Sequence, residues 1–185
     1  LNASANRILK LAGIQPVSEA EAAHSEEEIR ILMNESAKSG VIDENEMKLM
    51  DNLFDFSDLR AREIMLPRTD MDVLFTNLTL EENLQIVSET KHSRYPVATD
   101  NKDRIIGFVH ITDLLLADPE KQRDLASLVR PIMDVSESTE ISKVLRQMQA
   151  KHEQLALVID EYGGTAGILT AEKILEEIVG DLYDE

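Results

Sequence analysis

The sequence of 185 residues contains no cysteine and no tryptophan, and only 4% of its residues are aromatic. The absence of cysteine excludes a disulfide framework and a thiolate metal site. With 43% hydrophobic residues, the chain can still build a core, which must be mainly aliphatic. No apolar run approaches the roughly 18 residues that cross a bilayer, and no signal peptide is visible. Because the chain begins at Leu1 rather than Met, we expect a piece of a longer protein, whose other parts are compatible with a membrane segment.

Basic residues are also scarce, since 19 Lys and Arg face 36 Asp and Glu, giving a formal net charge of −17. Proteins that bind nucleic acid neutralise phosphates with clustered Lys and Arg. No basic stripe is present, so we exclude that class and a loose attraction to anionic lipid. Acidity here either keeps the chain soluble or serves divalent cations or a basic partner. No nucleophile with a base, paired acid and base, or metal constellation has a convincing spacing, and we expect no enzyme.

The first 62 residues predict a helical leader. Ser25 and Glu28 have the spacing of a capping box, which predicts a helix that ends near Gly40. Asp43 and Glu46 begin a second predicted helix, and "DLRAREIM" a short third one. The "DENE" stretch lacks the alternating oxygen ligands and the loop glycine of an EF-hand, so we predict no calcium loop.

From about residue 66 the chain repeats itself with an offset of 60, which places Thr79 on Thr139 and Gly107 on Gly167. Each copy predicts the order strand, helix, strand, strand, helix, in which the last two strands form an antiparallel hairpin. Neither copy has a sufficient core alone, so the copies should pack together with pseudo-two-fold symmetry. The predicted fold class is mixed α+β: a helical leader (1–62) and two βαββα units (63–122 and 123–185).

Four stretches resemble one known family: "EIMLPRTDM" (63–71), "HSRYPV" (92–97), "GFVHITDLL" (107–115) and "DEYGGTAGILTAEKILEEIVGDLYDE" (160–185). They are similar to the tandem CBS domains, or Bateman module, of CorC/HlyC-like, CNNM-related membrane proteins, which are associated with magnesium and cobalt efflux. The resemblance covers essentially the whole chain. It implies a regulatory pair at the cytoplasmic face of the membrane that binds an adenine nucleotide (ATP or AMP, with Mg²⁺ carried by the nucleotide). It also implies a homodimer attached to the family's membrane domain, which this sequence does not contain.

The resemblance implies that the nucleotide lies where the last strand of each copy meets the following helix. A helix N-terminus there offers N–H groups to phosphate. Asp113 would accept both ribose hydroxyls, Thr170 would face the sugar or phosphate, and Arg94 would clamp phosphate. The other predicted nucleotide-binding residues are Ser93, Tyr95, Pro96, Phe108, His110, Thr112 and Ile168.

The two copies carry opposite charges at one motif position, Asp113 in the first and Lys173 in the second. The family's second copy usually has Asp there, so the two clefts are expected to differ in their grip on ribose. Alternatively, Lys173 is a surface residue that pairs with Glu176 and Glu177. Two other functions stay open at this point: a dimerisation scaffold that has lost its ligand, and a sensor of another adenosyl compound such as S-adenosylmethionine.

Overall fold

The computed structural model describes residues 25–116 and 124–180. Part of the predicted leader (1–24) and the end of the last motif (181–185) therefore lie outside the described residues. Within them the chain forms seven α-helices and seven β-strands. None of these helices has the length and apolar character that crossing a membrane would require.

The chain divides into two units, residues 1–51 and 52–185. The first contains helix α1 (Glu26–Lys38) and most of helix α2 (Glu44–Phe56). The predicted capping box is confirmed, because Ser25 accepts from the Glu28 amide and donates its own amide to the Glu28 carboxylate. The predicted helix end is confirmed too, since Gly40 has a φ of +76°.

The second unit carries all the remaining elements. In chain order they are α3 (Ala61–Ile64), β1 (Leu66–Pro67), β2 (Leu74–Phe75), α4 (Leu80–Thr90), β3 (Arg94–Ala98), β4 (Ile105–His110), α5 (Ile111–Leu115), β5 (Met133–Ser136), α6 (Ile141–Lys151), β6 (Leu155–Ile159), β7 (Thr165–Thr170) and α7 (Ala171–Val179).

Two halves of the predicted βαββα order are present, and the mixed α+β fold class is confirmed. One sheet has the strand order β2-β3-β4 and the other β1-β7-β6-β5. In each half the first strand runs parallel to the second, and the second forms the predicted antiparallel hairpin with the third. Each half has its own aliphatic core, centred on residues such as Leu74, Val97 and Val109 in one and Ile141, Val158 and Ile174 in the other.

The two halves exchange their lead-in segments, a feature that the sequence did not predict. Strand β1 precedes the first half but pairs with β7 of the second, with Leu66 opposite Ile168. Arg130 precedes the second half but exchanges two backbone hydrogen bonds with Phe108 in β4, at 2.8 and 3.0 Å. Each half is therefore tied to the other by backbone pairing, as the predicted pseudo-symmetry requires.

Glycine permits this exchange. A Cβ atom on Gly107 would lie 2.3 Å from the Arg130 carbonyl oxygen, and one on Gly167 would lie 2.3 Å from that of Leu66. Both separations are far below van der Waals contact, so any larger residue would push the lead-in segment away. The glycine that opens each copy of the repeated motif thus serves the packing of the two halves.

The offset of 60 holds only for the later part of the repeat. Arg94 faces His110 across the first hairpin and Leu155 faces Thr170 across the second. The second strand is therefore displaced by 61 residues (94 to 155) and the third by 60 (110 to 170). The cause is the hairpin connection, which is one residue longer in the first half (99–104) than in the second (160–164). The residue of the second half that is equivalent to Lys91 is thus His152 rather than Lys151. Lys91 and His152 each follow the end of a helix and have positive φ.

Candidate functional site

Two clefts lie in the second unit, where the last strand of each half meets the following helix. The first cleft has a volume of about 360 Å³ and is lined by Arg94, Phe108, His110, Arg130, Pro131 and residues 152–154. The second has a volume of about 330 Å³ and is lined by Leu66, Asp72, residues 91–94, Pro96, Gln154, Leu155, Ile168, Thr170 and Glu172. Both volumes suit a small-molecule ligand.

The clefts are built from equivalent parts of the two halves. The first takes the end of β4 from its own half, and from the other half it takes Arg130 and the turn 152–154 between α6 and β6. The second takes the end of β7, the lead-in residue Leu66 and the matching turn 91–93 between α4 and β3. The backbone exchange described above brings these parts together.

The structure brings most of the predicted site residues to one cleft or the other. Phe108 and His110 line the first cleft, and Arg94 lines both. The second cleft has the predicted residues Ser93, Pro96, Ile168 and Thr170. Thr112 and Asp113 lie beside the first cleft rather than in its lining, at the start of α5.

Tyr95 is placed differently from the prediction. Its side chain is fully buried in the core of the first half. The phenol hydroxyl is satisfied there, since it lies 2.8 Å from the Thr90 hydroxyl and accepts from the His92 amide at 2.7 Å. Tyr95 thus supports the turn before β3 from within and does not reach either cleft.

Thr170 and His110, each three residues after the glycine of its motif, act as helix caps. Thr170 Oγ1 accepts from the Lys173 amide at 3.1 Å, at the start of α7. In the first half His110 replaces the hydroxyl, and its Nδ1 atom accepts from the Thr112 amide at 3.2 Å. Thr112 Oγ1 also lies 2.7 Å from that nitrogen. Because Nδ1 accepts a backbone N–H, the other nitrogen, Nε2, carries the proton in neutral His110.

Phe108 lines the first cleft, but its backbone is not free to bind a ligand. Its N–H and C=O both pair with the backbone of Arg130. The aromatic face is what remains for stacking a base.

Asp113 forms an ion pair with Arg130 beside the first cleft. Arg130 Nη2 donates to Asp113 Oδ1 at 3.0 Å and lies 2.7 Å from Oδ2. Although that second distance is short, Oδ2 is buried and accepts no well-directed hydrogen bond from any described residue. The contact with Oδ2 is therefore an ion pair rather than a hydrogen bond, because a hydrogen bond depends on angle as well as distance. The carboxylate therefore retains capacity to accept from a ligand hydroxyl.

Lys173, at the position that corresponds to Asp113, turns to its own helix. Its Nζ atom lies 3.0 Å from Glu176 and 3.4 Å from Glu177. The hydrogen bond to Glu176 raises the pKa of Lys173 above its ordinary value. The surface pairing expected for Lys173 is confirmed, and the unequal grip of the two clefts on ribose stays a prediction.

The two clefts differ in charge at several equivalent positions. Where the first cleft has Arg130 and Arg94, the second has Leu66 and Leu155. A third difference is Asp113 against Lys173. The first cleft thus has two arginines in its lining, Arg94 and Arg130, with the Asp113 carboxylate nearby. Among the described residues, the second cleft has Arg94 alone.

Arg94 has no partner of its own in the part of the chain that the structure describes. Its side chain is half-buried, and among residues 25–116 and 124–180 it makes no hydrogen bond or ion pair. In a chain with a net charge of −17, this cationic side chain lies in the lining of both clefts, where an anionic ligand could contact it.

The sequence did not predict several residues that line the clefts, among them Leu66, Asp72, Lys91, His92, Arg130, His152 and Gln154. A signal for Arg130 does exist. Arg130-Pro131 precedes a Met-Asp-Val triplet, as Leu66-Pro67 does in the first copy, so the repeat itself marks the two lead-in segments. His92 Nε2 contacts Asp72 at 2.9 Å, and the described residues contain no cluster of His, Asp and Glu that would hold a metal ion.

Comparison with known proteins places these features in a family. The family model for the CBS domain matches residues 61–120 and 123–180. The UPF0053 protein YrkA of Bacillus subtilis is 44% identical over 191 residues, which cover 100% of this chain and 44% of that protein. The magnesium and cobalt efflux protein CorC of Escherichia coli K12 is 35% identical over 161 residues, covering 86% of this chain and 55% of that protein. The chain thus spans about half the length of the curated relatives it matches.

Solved structures agree. The CBS domain of the bacterial CNNM/CorC family Mg²⁺ transporter superposes with a TM-score of 0.79 and 35% identity, covering 87% of this chain and 99% of that one. The same kind of domain in complex with ATP superposes with a TM-score of 0.69 and 34% identity, covering 74% and 99%.

Proposed function

Because this chain belongs to the CBS domain family, as a tandem pair related to the CNNM/CorC proteins, we propose that it binds an adenine nucleotide and regulates an attached membrane transporter of magnesium or cobalt. The observation that carries the proposal is Arg94, which lines both clefts of an acidic chain and whose side chain forms no ion pair within the described residues. A related CBS domain has been solved with ATP.

The first cleft is the better nucleotide site. A nucleotide presents a vicinal diol and a polyphosphate, and the Asp113–Arg130 pair has a complement for each. Ribose hydroxyls would donate to Asp113 and release Arg130, which would then join Arg94 on the phosphates. The ring of Phe108 would lie against adenine. A simple phosphate would satisfy the arginines but leave Asp113 without its partner.

Mg²⁺ enters this proposal with the nucleotide. The described residues offer no metal cluster, whereas polyphosphate binds the ion readily. Neutralising part of the phosphate charge reduces repulsion from a chain of net charge −17. Binding should therefore be tighter with Mg²⁺ than without it.

Regulation would follow from differential affinity. A ligand shifts a conformational equilibrium only by binding one arrangement more tightly than another. Here the ligand would bridge β4 of one half and Arg130 of the other, so it would favour one arrangement of the lead-in segments. The attached transporter, and the cytoplasmic face of the membrane as the location, are proposed from the relatives, which include a magnesium and cobalt efflux protein.

A homodimer is the proposed assembly. Several large apolar side chains on α7 and at the end of α5 are exposed: Leu115 at 70%, Leu116 (the residue after α5) at 77%, Leu175 at 46% and Val179 at 47%. Apolar groups of that size on two helices of one unit favour burial against another chain. Light scattering at several protein concentrations tests this, and a monomer throughout would contradict it.

The test of nucleotide binding is isothermal titration with ATP, AMP and S-adenosylmethionine, each with and without Mg²⁺. We expect ATP to bind with Mg²⁺ and Asp113→Asn to weaken it by roughly 10- to 100-fold. Thr170→Val, in the second cleft, is the matched variant and should have little effect. If no adenine nucleotide binds at millimolar concentration, the chain is a scaffold. If Thr170→Val alone abolishes binding, the second cleft is the site.

A further inference from the structure

Arg94 and Gln154 each line both clefts. Arg94 begins β3 and faces His110 at the end of β4. Gln154 comes directly before β6, and its carbonyl oxygen accepts from the Ala171 amide at 3.1 Å. Both residues therefore stand at the strand starts where the two halves meet, with one cleft on each side.

The two residues that line both clefts are not equivalent, because the sequence repeat is imperfect. The position in the second half that corresponds to Arg94 is Leu155, a buried residue that lines only the second cleft. Gln154 is neutral. The two clefts thus have one common guanidinium group, and among the described residues no other arginine lines the second cleft.

The second cleft also contains Lys91, but two carboxylates in its lining outnumber that cation. Lys91 and His92 lie in its lining, but so do Asp72 and Glu172. His92 is already 2.9 Å from Asp72. Without Arg94, the second cleft has little net positive charge to offer a polyphosphate.

We infer that the two clefts compete for Arg94, so that a polyphosphate anion bound in one cleft weakens the binding of a second anion in the other. The identity of that anion as a nucleotide rests on the proposed function, whereas the competition does not. Once a polyphosphate binds in the first cleft, it offsets the single positive charge of Arg94, which then attracts a second polyanion in the other cleft less strongly. Direct repulsion between two neighbouring polyanions acts in the same direction.

The expected consequence is one tight site per chain. The loss of one charge-assisted contact, on its own, corresponds to about 10- to 100-fold in affinity. The second equivalent of ligand should therefore bind at least about tenfold more weakly than the first. Both the loss of the Arg94 contact and the repulsion between the two anions contribute to this difference in affinity.

The variant Gln154→Arg tests the competition, because it places a second guanidinium group where both clefts meet. Gln147→Arg adds the same charge on the exposed face of α6, outside both clefts, and is the matched control. Arg94→Gln removes the shared group, and Arg104→Gln removes an exposed arginine of the same half as its control. Each protein is titrated calorimetrically with MgATP and, separately, with inorganic pyrophosphate. Thermal unfolding establishes that each variant is folded, and Gln154→Lys replaces Gln154→Arg if the latter is not.

We expect one equivalent of ligand for the parent chain, two for Gln154→Arg, and weakened binding in both clefts for Arg94→Gln, with both controls like the parent. Two equal and independent sites in the parent, or no gain in Gln154→Arg, would overturn the competition and leave the proposed function intact. Pyrophosphate binding in this pattern without ATP binding would support the competition and overturn the proposed function. If neither ligand binds, both are wrong.

Discussion

Arg130 Nη2 lies 2.7 Å from Asp113 Oδ2, and this ion pair joins the lead-in segment of one half to the motif helix of the other. The pair stands at the edge of the first cleft, and its carboxylate retains an unused buried acceptor. A ligand that carries both a diol and a phosphate can take over both partners at once. Under the proposed function, this relationship would favour a nucleotide over a simple anion in the first cleft.

The pair gives a prediction that separates ribose from phosphate recognition. Arg130→Gln should weaken ATP by roughly 10-fold or more, because a phosphate contact is lost. The same variant should bind adenosine at least as well as the parent, because Asp113 no longer has to leave an ion pair. Asp113→Asn should weaken both ligands. Titration calorimetry with ATP and adenosine measures the difference, and parallel losses for both ligands in Arg130→Gln would contradict it.

A second prediction concerns the glycine beneath the lead-in strand. In Gly167→Ala the new Cβ would approach the Leu66 carbonyl oxygen to 2.3 Å. Relief requires a backbone shift, so the free energy of unfolding should fall by about 2–3 kcal/mol. In the control Gly163→Ala the new Cβ meets nothing within 4 Å, and only the φ of +79° is strained, which costs about 1 kcal/mol. Urea denaturation measures both; equal losses would show that the exchange of segments does not require glycine.

The third prediction restores the usual family residue at Lys173. Lys173→Asp places a carboxylate at the position equivalent to Asp113, and it should tighten the second cleft for adenosine. Lys173→Gln removes the contacts with Glu176 and Glu177 without adding an acceptor for ribose. Since the Lys173 side chain is 43% exposed, either change should cost less than about 1 kcal/mol of stability. Identical adenosine binding by the two variants would show that this position has no access to the second cleft.

The fourth prediction concerns acid stability and the cap of α4. The Thr79 amide donates to the Glu82 carboxylate at 2.8 Å and lowers the pKa of Glu82 below 4.5. A lowered folded-state pKa stabilises the fold above the unfolded value and loses that effect as the pH falls through the folded value. The stability difference between the parent and Glu82→Gln should therefore be present at pH 7 and shrink below about pH 4.5.

Glu81→Gln is the control for Glu82, because it removes a neighbouring carboxylate of the same helix turn that makes no cap bond in the described structure. Urea titrations from pH 7 to pH 3 report both differences. A Glu82 difference that does not change with pH, or that matches the Glu81 difference at every pH, would show that the ionised carboxylate adds nothing to the cap.

The features that were predictable from sequence are those that neighbouring residues determine. The caps at Ser25 and Thr79 follow from a hydroxyl and a glutamate three residues apart. The hairpins follow from two apolar runs and a polar connection. Even the placement of Tyr95 was accessible, because side chains alternate along a strand. Arg94 and Pro96 line the second cleft, so the residue between them faces the core.

The remainder depends on contacts that are distant in sequence. No local pattern indicates that Leu66 pairs with Ile168 or that Arg130 pairs with Phe108. The change of offset from 61 to 60 was also hidden, because a single residue in the hairpin connection causes it. The candidate site was the least predictable feature, because each cleft combines residues from both βαββα halves.

The most direct test of the account is an amide chemical-shift titration of the ¹⁵N-labelled chain with MgATP. We predict shifts at His110, Arg130 and Gln154 that saturate together at one equivalent, while Tyr162, at the exposed tip of the second hairpin, does not move. Such a result would place one nucleotide in the first cleft. No shift at millimolar ATP, or shifts confined to Ile168 and Thr170, would contradict that claim.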